Sequence, residues 1–266
     1  MFRCPDCGYL SSNLEPDIKL LRGEKPIDEA SRSVALEELR KANFDRMLDA
    51  LGKIHDPAGK RLLDVGCAHG WFLDAAAKRG YQVFGLEPDV EMAALASARH
   101  RVITGFFPQD IPPGEIIDVI TFNDVLEHLP DVSEAASACG RLLAPGGLVG
   151  LTLPISTGIF YRTAQLLDSF GISGPFERLW QKEFPSPHMS YFTADQLGQL
   201  MEKYGLKTIH RSTLPSIQIQ GLWERLRYDR TAPVAQSVLI WLGVALASPL
   251  LKALPPDIVF LVFQKQ

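Results

Sequence analysis

The stretch Leu62-Leu63-Asp64-Val65-Gly66-Cys67-Ala68-His69-Gly70-Trp71-Phe72-Leu73 constrains this chain more than any other twelve residues. An apolar run breaks at an acid and a glycine, and a helix-like pattern resumes at once. A buried parallel strand that ends in small residues and feeds a helix leaves a crevice at the carboxyl edge of its sheet. Glycine takes the backbone angles of the sharp turn and lets a ligand approach the main chain. Asp64, at the strand's end, can accept from a cationic or hydroxyl-bearing ligand.

Similar units follow along the chain. Apolar runs at 61–66, 81–87, 101–104, 116–122 and 148–154 read as strands. The segments 71–80, 89–100 and 131–144 between them read as helices. Strands separated by helices of roughly 10–15 residues imply βαβ units and a parallel sheet covered on both faces. The fold class is therefore α/β, doubly wound. The alternation stops over 155–187 and resumes with a helix at 193–205, a strand at 206–212 and a last strand at 257–266. A chain of 266 residues accommodates one such domain with additions. Residues 1–27 read as an irregular leader. Over 28–58 Leu36, Leu39, Phe44, Met47, Leu48 and Leu51 recur at helical spacing, as in an amphipathic lid helix. The main domain is assigned to 59–214 and 257–266, with 155–187 as a substrate-covering insertion and 215–256 as an apolar one.

The ligand class follows from what the crevice lacks. Glu87 ends the second strand about 20 residues on, where a carboxylate suits both hydroxyls of a ribose. A dinucleotide fingerprint needs G-x-G-x-x-G, and this turn reads Gly66-Cys67-Ala68-His69-Gly70. A phosphate loop needs G-K-[ST], and here Trp71 and Phe72 follow the glycine. No Lys or Arg lies in the turn, so a nucleoside without a phosphate chain fits best. A net charge of −4 provides no basic field for nucleic acid.

Jointly, these segments resemble the class I S-adenosylmethionine-dependent methyltransferases of the small-molecule type. "LLDVGCAHGWFL" is similar to their first motif, "VFGLEPD" to their second-strand acid, and "IDVITFNDVLEHLPD" (117–131) to the fourth-strand motif. "LLAPGGLVGLTLP" (142–154) and "HMSYFTADQLGQLMEKYGL" (188–206) resemble the later motifs, in the family's order. The resemblance implies a Rossmann-like, mainly parallel seven-stranded sheet with a late antiparallel strand, and S-adenosylmethionine as cofactor. It also implies that Asp64, Gly66, Cys67, Ala68 and Gly70 shape the methionine pocket and its turn. By the same resemblance Glu87 binds the ribose, and Asn123, Asp124 and Val125 lead to the methyl-transfer centre. The Phe106–Asp110 loop is expected near the adenine. Ala68 departs from the family's usual glycine.

Two histidines are the candidates for catalysis. His128 is placed to take the acceptor's proton or to cap the next helix, and His188 to face the substrate or hold the insertion. Cys67 is more naturally small packing than a nucleophile. No metal-ligand cluster stands out near the cofactor motifs, so no metal is expected there. Cys4-Pro5-Asp6-Cys7-Gly8 is half of a zinc knuckle without a second pair, and it resembles the second knuckle of an N-terminal ribbon in some bacterial relatives. Either the first half is lost or the start lies downstream of the true one. Four cysteines in this spacing make no disulfide framework, which points to the cytoplasm.

Residues 234–251 carry no charge, with Arg225, Arg227 and Arg230 before them and Lys252 after. Strands of one sheet flank the segment, which argues against a bilayer span. An element lying on the inner face of the cytoplasmic membrane is one reading, and a homodimer interface or lid is the other. The leading expectation is methylation, at oxygen, of a small-molecule, sugar or lipid-linked acceptor. The rivals are a non-catalytic cofactor-binding scaffold and an NAD-type oxidoreductase.

Overall fold

A computed structural model describes residues 1–16, 29–182, 184–216 and 254–266, with individual positions between 223 and 246. The elements in chain order are β1 (Phe2–Arg3), β2 (Leu10–Ser11), α1 (Glu29–Ile54), β3 (Arg61–Val65), α2 (Trp71–Ala77), β4 (Gln82–Glu87) and α3 (Val90–Ser97). Then come β5 (Arg101–Thr104), β6 (Ile117–Asn123), α4 (Val132–Leu142), β7 (Leu143–Pro154), α5 (Ile159–Ser169) and α6 (Gly174–Leu179). The last are β8 (Ser190–Tyr191), α7 (Ala194–Glu202), β9 (Leu206–Leu214) and β10 (Ile258–Lys265).

The expected α/β sheet is present. Seven strands run in the order β5-β4-β3-β6-β7-β10-β9. The first five pair in parallel, and β10 inserts antiparallel between β7 and β9. The central strands read as continuous apolar runs because both faces are covered: Leu62, Leu63, Val119, Ile120, Val149 and Leu151 are all fully buried. One side packs α4 and α7 through Ala135, Cys139, Leu197 and Met201. The other packs α1 and α2 through Met47, Leu48, Leu51, Phe72 and Leu73. The fully described part of α1 is thus a layer of the core, with Phe44 edge-on to Phe72 at 5.2 Å. Lys41, on the same helix, lies 5.7 Å from the Trp71 ring at the start of α2.

Helix ends follow local chemistry. Asp89 and Asp131 cap α3 and α4 by accepting amide hydrogens of the first turn, and Thr193 with Gln196 forms a reciprocal capping box on α7.

The leader, expected to be irregular, carries a small hairpin. β1 pairs with β2, and β2 pairs antiparallel with β8, 180 positions along the chain. The leader's Leu10 and Leu14 pack with Tyr161, Trp180 and Tyr191 into a small third core. The segment 155–187 and the N-terminus therefore stabilise each other. Of the 234–251 segment, only scattered positions are described; the rest lies outside the described residues. Val234, Val238, Leu242 and Leu246 are helical and exposed, at four-residue steps. Among the described residues no helix is long and apolar enough to cross a membrane.

Candidate active site

β3 and β4 run in parallel with Asp64 opposite Gly85, so Glu87, two positions further along β4, lies diagonally beyond Asp64 on the same face at the carboxyl edge. The turn after β3 holds three left-handed residues in five: Gly66 (φ 69°), Ala68 (φ 42°) and Gly70 (φ 76°). A Cβ on Gly66 would stand 2.6 Å from Val125 Cγ2, so a side chain there would fill the crevice floor. Ala68 pays the strain of a left-handed backbone that glycine takes without cost. Its amide donates to Glu87 Oε2 at 2.8 Å, and the Asp89 amide donates to Oε1 at 3.0 Å. Glu87 is thereby fixed in one orientation, and each carboxylate oxygen has chemistry for a further hydrogen bond from a diol.

Asp64 is 2 % exposed, and its Oδ1 accepts from Thr121 Oγ1 at 2.7 Å and Asn123 Nδ2 at 2.8 Å. Burial pushes its carboxyl up to about 7, with Thr121 and Asn123 pulling down and the Glu87 charge adding to the rise. A cationic ligand would restore the charge. Asn123 Oδ1 is buried with no hydrogen-bond partner. These groups fit a sulfonium nucleoside with an amino-acid tail: buried acids for its cation and diol, an open acceptor, and a floor cleared by Gly66.

The thiol of Cys67 points into the core, where a Cβ on Gly85 would lie 2.4 Å from its sulfur, and burial pushes it far up. Asp124 follows β6 with φ 58° and donates its amide to Thr152 O at 2.8 Å. In the 106–110 loop Phe106 is exposed, and its amide donates to Asp110 Oδ2 at 2.8 Å.

The two histidines meet. His128, in the short 3-10 turn Leu126–His128, stands edge-on to His188 with ring centroids 4.7 Å apart. His128 Nδ1 lies 2.9 Å from Pro187 O, so this nitrogen carries the hydrogen and Nε2 carries the lone pair. Burial holds the His128 ring below its ordinary value, hence neutral at pH 7. Glu127 joins them: it is 1 % exposed, and neither of its carboxylate oxygens has a hydrogen-bond partner. Burial, then the nearby Asp124 charge, pushes it well above the usual carboxylate range. Glu127, His128 and His188 each present a ligand atom, all within 4.8 Å of one another. This corrects the expectation that no metal-ligand cluster lies near the cofactor motifs. Sequence spacing could not show it, because His188 arrives from beyond the 155–187 insertion. The Met189 amide, donating to Glu127 O at 2.7 Å, closes that gap.

Sequence reasoning also missed Glu127 and Thr121. The available signals were a carboxylate beside His128 in an otherwise apolar turn and a threonine inside an apolar strand. Cys4 and Cys7 lie at the β1–β2 hairpin, away from any third ligand among the described residues. Backbone amides of Cys7 and Asp6 draw the Cys4 thiol below its ordinary value.

A sheet of this order with an acid-edged, glycine-floored crevice defines a class I S-adenosylmethionine-dependent methyltransferase domain. The chain belongs to the methyltransferase-domain family, whose model matches residues 35–211. It is 40% identical over 106 residues to the ubiquinone biosynthesis O-methyltransferase of Pseudomonas aeruginosa PAO1, covering 36% of this chain and 44% of that one. It is 35% identical over 127 residues to the enzyme of the same name from Alkalilimnicola ehrlichii, covering 43% and 48%. The chain thus spans less than half the length of these relatives. A SAM-dependent methyltransferase from Archaeoglobus fulgidus shares the fold at TM-score 0.55 and 17% identity, covering 86% of this chain and 94% of that one. So does magnesium protoporphyrin IX methyltransferase from Synechocystis PCC 6803 with bound S-adenosylhomocysteine, at 0.55 and 14%, covering 92% and 89%. Family membership removes the oxidoreductase alternative.

Proposed function

We propose that this chain methylates an oxygen of a small-molecule, sugar or lipid-linked acceptor. When bound, S-adenosylmethionine supplies a methyl group on a sulfonium and departs as the neutral thioether. Glu87 holds the ribose hydroxyls, and Asp64, ionised by the bound cation, meets the charged methionine end. Asn123, Asp124 and Val125 line the passage to the acceptor. Alignment of the acceptor oxygen with the methyl group supplies much of the rate gain in such an in-line displacement. Glu127, His128 and His188 orient the acceptor's hydroxyl and lower the cost of removing its proton.

The observation that carries this reading is a run of neighbours: Glu87 acts on Asp64, Asn123 Nδ2 donates to Asp64 at 2.8 Å, and Asp124, next in the chain, acts on the buried Glu127. The relatives named O-methyltransferases support oxygen as the acceptor atom. The exposed apolar positions Val234, Val238, Leu242 and Leu246 support an apolar or lipid-linked acceptor met at a membrane surface. The test is transfer of labelled methyl from S-adenosylmethionine to separated polar and lipid extracts, after S-adenosylhomocysteine binding is established. Label in an alkali-stable ether of one fraction is expected. Label only on nitrogen or sulfur would overturn the oxygen assignment.

A further inference from the structure

We propose that Gln181 is a positioning residue for His188, fixing the tautomer and the rotation of that ring before an acceptor binds. What the acceptor gains from this rests on the O-methylation reading; the positioning itself does not.

Gln181 stands where glycine is expected. α6 ends at Leu179 with Trp180 as its C-cap, and Gln181 follows with φ 52°. The Gln181 amide donates to Arg178 O at 3.1 Å, and the Lys182 amide donates to Glu177 O at 3.2 Å. This is the Schellman ending of a helix, whose left-handed position falls to glycine or, less often, asparagine. Asparagine offsets part of the strain by bonding locally through a short side chain, which glutamine does not do. Strain kept at such a position points to a task for the side chain that keeps it.

The task visible here is His188. The side-chain amide nitrogen of Gln181 lies 2.8 Å from His188 Nε2. A half-turn exchanges the amide's nitrogen and oxygen, and either arrangement fixes one tautomer. A donating nitrogen leaves the ring hydrogen on Nδ1, and an accepting oxygen holds it on Nε2. The main chain closes the same clasp, because the His188 amide donates to Trp180 O at 3.0 Å. Its footing is firm: Trp180 is fully buried against Phe176 and Tyr191. His188 is 5 % exposed, and its ring meets those of His128 at 4.7 Å and Tyr191 at 5.3 Å. In so closed a place a ring of undefined tautomer would present the wrong nitrogen part of the time. His128 is set in the same manner, by Pro187 O. One loop, from Gln181 to Pro187, thus orients both histidines.

The experiment uses the full chain, with the ring nitrogens of His188 assigned by NMR at a pH where the imidazole is neutral. The parent should show one dominant tautomer, with one nitrogen pyridine-like and the other pyrrole-like. Gln181→Gly and Gln181→Ala should each move both nitrogens toward the averaged positions of a mixed population. Gln181→Glu, which can only accept, should hold the hydrogen on Nε2. Melting points separate the backbone from the side chain. Gln181→Gly should melt about 2–4 °C above Gln181→Ala, because both lose the amide and only alanine keeps the strain. Affinity for S-adenosylhomocysteine should stay within about twofold in all three. On the extract fraction that the parent labels from S-adenosylmethionine, the glycine and alanine variants should lose about tenfold or more in rate. A parent ring of mixed tautomer, folded variants with the parent's nitrogen shifts, or alanine melting at or above glycine would each overturn the proposal. Should the variants fail to fold, the parent decides alone. A single tautomer with a nuclear Overhauser contact between the Gln181 amide hydrogens and the His188 ring supports the proposal, and a mixture overturns it. Variants with mixed tautomers and parental rates would leave the positioning standing and count against the acceptor role of His188 alone.

Discussion

Asp64 and Glu87 are neighbouring acids held in opposite ways. Glu87 takes two backbone amides, whereas Asp64 is buried and pushed up to about 7. A group that binds its proton more tightly folded than unfolded destabilises the fold as pH rises from about 4 through 7. The cofactor-free protein should therefore gain thermal stability from Asp64 as pH falls from 8 to 5.5. Cofactor affinity should run the other way, because the methionine ammonium prefers the ionised carboxylate. Calorimetry of S-adenosylhomocysteine should show affinity falling toward about tenfold per pH unit below 7, and Asp64→Asn should flatten that slope. Ala68 supplies a second test. Removing its left-handed strain by Ala68→Gly is set against glycine's larger unfolded-state entropy, for a net gain of up to about 1 kcal/mol. A melting point raised by about 2–4 °C would record it. Glycines, acids and their spacing were legible in the sequence because each answers a local demand of one strand–turn–helix unit. Glu127 was not, since its meaning depends on burial that only tertiary packing creates.

Among the elements, Trp180 sets how firmly the insertion is held. It is fully buried against Tyr161, Phe176 and Tyr191, and its carbonyl anchors the His188 amide. Trp180→Ala should cost about 3–5 kcal/mol by cavity formation. If the insertion covers the acceptor, the acceptor's KM should rise while S-adenosylhomocysteine affinity stays within about twofold; calorimetry beside steady-state kinetics reads both. The helix α7 is held locally by its capping box. Thr193→Ala should remove about 1 kcal/mol, visible in urea unfolding. Strands and helices from 61 to 154 were legible because apolar runs and capping residues mark them. The β1–β2–β8 sheet was not: its strands are two residues each, and their partners lie far apart in sequence. β7 begins at Leu143, ahead of the strand expected from 148, because Leu143 already pairs with Ile117 across an irregular register.

For the whole molecule, the open question of surface chemistry has a direct measurement. The exposed apolar positions of the 234–246 segment should carry the full chain upward with anionic vesicles in flotation. A chain with 234–251 replaced by a Gly/Ser linker should stay below. Co-sedimentation of neither, with a change of size on shortening, would assign the segment to a subunit interface. The doubly wound class was legible from alternation alone, but the position of the last strand was not read from it. β10 follows β9 in the chain yet lies inside it, bonded to β7 and β9 on either side. On the ribosome, then, β9 emerges with no place to dock, and β7 shows an open edge until residues 258–265 appear. The nascent chain must wait with both edges bare, so its interval of greatest exposure to chaperones falls late, after the cofactor crevice has all its parts.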